Sequence, residues 1–149
     1  MAADLFTMPH DPISPAKPMV VEQPRTPIKV ISLDTSIDRR QAFTGMIGGI
    51  NLDWGFFPAH TAITEPLQYH HRAAVRRSGR PLSPPEIGCY TSHFKLWEWL
   101  SNSNFDQAII LEDDVIVDWA FIEKVAAIRL SDYGINLLRL HTYSRFAGP

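Results

Sequence analysis

The chain has 149 residues, 45% of them hydrophobic and 20% charged, with a formal net charge of −2. One soluble domain of this size hides roughly two-thirds of its unfolded surface, and a lone cysteine, Cys89, excludes an internal disulfide framework. Near-balanced charge leaves no electrostatic footprint for nucleic acid, and neither a membrane-length apolar run nor a secretory leader is apparent, so a reducing, cytoplasmic setting is the expectation.

Residues 1–27 hold Pro9, Pro12, Pro15, Pro18, Pro24 and Pro27, half of the chain's 12 prolines. Proline removes backbone donors and biases its predecessor toward extended conformations, so this segment reads as a tail, with the folded domain over 28–149. Ile28–Leu33 reads as a buried strand, Asp34–Asp38 as turn and cap, and 39–47 as a helix stopped by Gly48-Gly49. A second strand is expected over 54–59, a weak helix over 67–77, and a turn at Ser78-Gly79-Arg80-Pro81. Pro84-Pro85 opens the strongest helix, 86–100. A strand over 107–112, a helix over 119–130 and a last strand over 136–140 complete the pattern. Strands alternating with helices predict an α/β domain with a mostly parallel sheet, in which ligands gather beyond the carboxyl ends of the strands.

The apolar run Ala108-Ile109-Ile110-Leu111 leads directly into Glu112-Asp113-Asp114. Three adjacent carboxylates repel one another and resist desolvation, so they require solvent, donors or a cation. Strand alternation places Glu112 and Asp114 on one side and Asp113 on the other. Two hard oxygen ligands at that spacing suit Mg²⁺ or Mn²⁺ with substrate phosphates completing the shell; the alternative is a solvated strand end capping the next helix. The same cluster would serve a phosphatase or phosphoryl transferase, but no Walker-type loop is present. His60, His70, His71 and His141 make no zinc-type spacing with Cys89, so no structural zinc is expected.

At 100° per residue, Glu86, Cys89, Tyr90, His93, Trp97 and Leu100 share one face of the 86–100 helix, with Thr91, Lys95 and Glu98 opposite. The first face reads as core. Glu86 suits the first turn, where the helix dipole favours an acid. Gly88 costs about 0.8–1 kcal/mol relative to alanine inside a helix, which a close approach by another segment or a ligand would explain. Arg39 and Arg40 oppose the dipole of their own helix and would be relieved by an anion. Arg72, Arg76, Arg77 and Arg80 read as a solvated face, with a phosphate contact from Arg72 and Arg76, one turn apart, as the alternative.

These motifs, taken in order, resemble glycosyltransferase family 25, which includes bacterial lipooligosaccharide galactosyltransferases and procollagen galactosyltransferases. The resemblance runs over about 28–142 and rests on Val30-Ile31-Ser32-Leu33-Asp34, Asp38-Arg39-Arg40 with Phe43, Phe57-Pro58-Ala59, Glu86-Ile87-Gly88-Cys89-Tyr90-Thr91-Ser92-His93 with Leu96-Trp97, and Ile110-Leu111-Glu112-Asp113-Asp114-Val115. It implies a GT-A-like, Rossmann-type sheet and inverting transfer of a hexose, typically galactose, from a UDP-sugar to a saccharide or lipid-linked saccharide such as lipooligosaccharide. It further implies Mn²⁺ or Mg²⁺ at Glu112 and Asp114, nucleotide-sugar contacts from Ser32, Leu33, Asp34, Arg39, Arg40, Glu86, Ser92, His93 and Asp113, and peripheral association with the inner-membrane face. No residue is assigned as the catalytic base. Two departures stand out: Ser32 replaces a common asparagine, and Pro85 a common glycine. Family members continue well past the last expected strand, so the chain is expected to be C-terminally truncated, with a non-catalytic nucleotide-sugar-binding remnant as the alternative.

Overall fold

Near-continuous apolar runs in three short segments let one parallel sheet be covered on both faces. The computed structural model describes residues 26–47 and 51–140; the proline-rich 1–25, the Gly48-Gly49 stop and His141 lie outside the described residues. Strand β1 (Ile28–Ser32) is central, flanked by β2 (Trp54–Pro58) and β3 (Ile109–Glu112), all parallel, in the order β2-β1-β3. Ile28 lies level with Trp54 and Ile109, and Ile31 with Phe57 and Glu112, so the three carboxyl ends share one edge.

One face of the sheet offers Ile28, Val30, Trp54, Phe56, Ile109 and Leu111 to helix α1 (Ile37–Met46) and helix α4 (Trp119–Ala126). Phe43 of α1 is fully buried and sits 5.8–6.2 Å from the rings of Trp54, Phe56 and Trp119, within the range for aromatic edge contacts. Helix α3 (Pro84–Ser101) covers the opposite face, where Trp99 meets Phe57 and takes the Lys29 ammonium 4.9 Å above its ring. That cation–π contact accommodates a lysine in a central strand. The remaining helix, α2 (His71–Ser78), has no buried residue and ends at Gly79, whose φ of 74° is the left-handed cap expected for the Ser78-Gly79 turn. The α/β class and mostly parallel sheet are as expected.

Several boundaries differ from expectation. The helix expected over 39–47 starts at Ile37, and the weak one over 67–77 forms only from His71. Pro84 and Pro85 occupy the first turn of α3 rather than preceding it, since proline's missing N–H costs nothing there. Helix α4 stops at Ala126, followed by a 3-10 turn over Leu130–Tyr133. The Gln107 side chain favours this early stop: its amide donates to Thr26 Oγ1 and the Ile128 carbonyl, and its oxygen accepts from the Leu130 N–H. Thr26 in turn donates to the Ala126 carbonyl, and both Thr26 and Pro27 are buried. The strand expected over 136–140 does not form: these residues are described, exposed and without a ladder partner among the described residues. Its apolar run satisfied local propensity, but a strand exists only where a neighbour accepts it.

The face of α3 also differs. Its buried residues are Gly88, Thr91, Ser92 and Leu96, whereas Tyr90 and Trp97 are about half exposed. Small residues win the inner face because the segment after β2 runs directly against it. A Cβ on Gly88 would collide with the His60 carbonyl oxygen and stand 3.2 Å from Thr61 Cα. Ser92 locks the approach, accepting from the His60 N–H at 2.8 Å and donating to the Gly88 carbonyl at 2.7 Å. Gly88→Ala therefore trades a helix-propensity gain of about 1 kcal/mol for a backbone clash costing about 1–3 kcal/mol or more. A net loss of stability in urea unfolding is expected; equal or greater stability would refute the close approach.

Candidate active site

At the shared carboxyl edge a cleft of about 370 Å³ opens between the sheet and α3. Ile31, Ser32, Leu33 and Arg39 line one side, Ala59, His60 and Thr61 the end of β2, and Pro84, Pro85, Cys89, Ser92 and His93 the helix wall. Glu112, Asp113 and Asp114 close the remaining side. The acidic motif thus stands where open parallel sheets bind ligands.

Its three carboxylates occupy different environments. Strand β3 ends at Glu112, so Asp113 and Asp114 lie in a turn and the expected strand alternation does not extend through them. Asp113 is 7% exposed. Its Oδ2 accepts from the Ser32 hydroxyl at 2.6 Å, and its Oδ1 pairs with Arg39 Nη1 at 3.1 Å. A hydrogen bond to an ionised acceptor contributes about 1.5–3 kcal/mol, whereas the half-exposed Arg39 pair adds at most about 1 kcal/mol. The hydroxyl is therefore the principal anchor of Asp113. Glu112 and Asp114 are exposed and line the cleft.

Arg40 supports this arrangement from behind. Its Nε donates to Ser32 Oγ at 3.0 Å and its Nη2 to the Ser32 carbonyl and Asp34 Oδ1, while the guanidinium lies 4.7 Å above the Phe56 ring. With Ser32 Oγ receiving that bond, its proton is directed to Asp113. Arg40 and Asp34 line a separate shallow depression rather than the cleft. Glu86 is also elsewhere: both its oxygens are bound by Arg80, at 2.6 and 2.8 Å, and the Ser83 N–H and hydroxyl donate to it at 2.8 Å. Glu86 thus fastens the start of α3.

Of the residues singled out in the sequence, the cleft gathers Ser32, Leu33, Arg39, Ser92, His93, Glu112, Asp113 and Asp114, and leaves aside Asp34, Arg40 and Glu86. Sequence reasoning missed His60 and Thr61, although residues just after a parallel strand are natural candidates. It also missed the meeting of Cys89, His93 and Glu112. Cys89 and His93 are one helical turn apart on α3 and face the last residue of β3, with His93 Nε2 at 3.4 Å and Cys89 Sγ at 4.0 Å from Glu112 Oε1. Partial burial, reinforced by the Glu112 charge, raises the Cys89 pKa above that of an ordinary thiol.

Removing the Ser32 hydroxyl leaves the buried Asp113 carboxylate short of a donor. Ser32→Ala is expected to cost about 1–3 kcal/mol in urea unfolding, and a change within error would deny Ser32 its anchoring role. A second expectation concerns pH. Arg80, then the Ser83 donors, hold the Glu86 carboxyl well below its ordinary value of 4.5. A depressed folded-state pKa stabilises the fold above the ordinary value and loses that contribution as pH falls toward the folded-state value. Glu86→Gln should lower the midpoint of thermal unfolding at neutral pH and flatten its decline below pH 4.5.

Residues 25–147 match the family described as glycosyltransferase family 25 (LPS biosynthesis protein). A candidate glycosyltransferase of Haemophilus influenzae is 36% identical over 88 residues, covering 58% of this chain and 31% of that protein. A glycosyltransferase 25 family member of Aedes aegypti is 28% identical over 109 residues, covering 68% of this chain and 18% of its own length. Procollagen galactosyltransferase 2 of Mus musculus is 38% identical over 48 residues, covering 32% of this chain and 8% of the mouse protein. The matches thus span a third or less of these relatives' lengths. With the family match extending across the sheet, the cleft and the Glu112-Asp113-Asp114 motif, the chain belongs to glycosyltransferase family 25.

Proposed function

We propose that the cleft binds a UDP-sugar and that the protein transfers its hexose, galactose by preference, to a saccharide or lipid-linked saccharide such as lipooligosaccharide, with inversion. The observation that carries this reading is the graded acidic motif at the sheet edge: one carboxylate anchored in the fold, two facing the cleft. Galactosyl transfer finds support in the mouse relative's name, and a lipopolysaccharide-type acceptor in the family's description.

The exposed Glu112 and Asp114 offer hard oxygen donors with room for phosphate oxygens, so they fit Mn²⁺ or Mg²⁺. When bound, such an ion offsets the negative charge that develops on the departing diphosphate. The chain's own residues do the positioning. Ser32 and Arg39 hold Asp113, and through it the turn that carries Asp114. Arg39, half exposed at the cleft wall, also offers a cation to a nucleotide phosphate. Leu33 supplies an apolar edge, while Ser92 fixes the His60 segment opposite. His93, 3.4 Å from Glu112, orients that carboxylate and borders the sugar-binding space. Asp34, Arg40 and Glu86 serve by holding β1, α1 and α3 in place.

No helix among the described residues is long and apolar enough to cross a membrane. A cytoplasmic protein touching the inner-membrane face through a lipid-linked acceptor fits this reading. The alternative reading is a donor-binding remnant without transfer.

Calorimetric titration with UDP-galactose and Mn²⁺ tests the proposal. Saturable binding that weakens about tenfold or more in Asp114→Ala, equivalent to about 1.4 kcal/mol, is expected. Unchanged affinity in the variant would remove Asp114 from the site. Donor binding without transfer or donor hydrolysis would establish the remnant.

A further inference from the structure

The geometry points to a second kind of metal site in this cleft, formed by Cys89, His93 and Glu112 and suited to a thiophilic divalent cation such as Zn²⁺. Their nearest ligand atoms, one sulfur, one imidazole nitrogen and one carboxylate oxygen, all lie within 4.8 Å of one another. In a tetrahedral zinc centre, bonds of about 2.0–2.3 Å place neighbouring ligand atoms roughly 3.3–3.7 Å apart. The His93–Glu112 distance of 3.4 Å already meets that requirement, and the Cys89–Glu112 distance of 4.0 Å needs only a small side-chain adjustment.

The donor set distinguishes this site from the Glu112–Asp114 pair. A thiolate and an imidazole select Zn²⁺ or Co²⁺ over Mg²⁺ and Mn²⁺, which prefer all-oxygen shells. The backbone is pre-organised for it. Gly88 and Ser92 fasten α3 to the His60 segment on one side, presenting Cys89 and His93 one turn apart toward the end of β3. Three protein ligands facing an open cleft leave a fourth position for water or an anionic ligand. Binding replaces the proton of the Cys89 thiol, so each ion taken up releases one proton from sulfur. The site stands independently of the donor proposal but shares Glu112 with it. A cation on the Cys89 side therefore withdraws a ligand from the hard-metal pair.

Co²⁺ serves as the spectroscopic probe on the intact chain, whose single cysteine makes any thiolate signal attributable to Cys89. Titration is expected to give a thiolate-to-cobalt charge-transfer band in the near ultraviolet and strong visible absorption of a four-coordinate ion, saturating at one equivalent and abolished by Zn²⁺. His93→Ala and Glu112→Gln should each weaken binding about tenfold or more, and Cys89→Ser should remove the charge-transfer band. Asp114→Ala should preserve spectrum and stoichiometry, which separates this site from the donor-metal pair. No band in the intact chain at excess Co²⁺ would overturn the assignment without recourse to any variant. A band indifferent to both His93→Ala and Glu112→Gln would reduce it to a cysteine binding metal alone. Loss of cobalt binding in a folded Asp114→Ala protein would move the ion to the Glu112–Asp114 pair.

Discussion

The carboxylate of Asp113, 7% exposed at the carboxyl edge of a three-stranded sheet, is the constraint around which the site is arranged. An ionised group at that depth is tolerated only with donors, and they come from β1 and α1. Ser32 can give Asp113 its proton because Arg40 already donates to the same hydroxyl, and Arg40 holds its position through Asp34 and the face of Phe56. The interaction joins residues 81 positions apart. It fixes the turn after β3 against the end of β1, and thereby where Glu112 and Asp114 stand.

The opposite wall obeys a different rule, the closeness of two backbones. Gly88 admits the His60 carbonyl to the surface of α3, and Ser92 supplies the hydroxyl that the His60 N–H requires. A larger side chain at position 88 would push the helix off the segment after β2 and widen the cleft. The glycine's helix-propensity cost is thus offset by site geometry, and that same docking turns Cys89 and His93 toward Glu112.

Much of this was legible beforehand. The apolar runs at Ile28–Leu33 and before Glu112 announced two parallel strands, and Pro84-Pro85 announced the start of the longest helix, because each signal is local and repeated over several residues. The acidic motif was legible as a strand-end cluster, and Gly88 as an unusual helix residue needing a close neighbour. The inner face of α3 was not. Hydrophobicity assigned Tyr90 and Trp97 to the core, but the partner surface was backbone, which selects for smallness. Glu86 was drawn into the site by its place in a motif, whereas Arg80 and Ser83 occupy its oxygens. Asn136–Leu140 had the composition of a strand but finds no ladder partner among the described residues.

The sequence by itself determined the class of fold and the order in which the motifs are threaded, since these follow from periodicity and residue identity along the chain, and its motifs carried the resemblance to the family. Only the tertiary structure decided which acid is anchored and which are presented, and which arginine faces the cleft. It also decided that Cys89 and His93 meet Glu112. The reason is distance: these outcomes depend on hydrogen bonds and van der Waals exclusion between segments tens of residues apart. No local pattern encodes the angle at which one backbone approaches another.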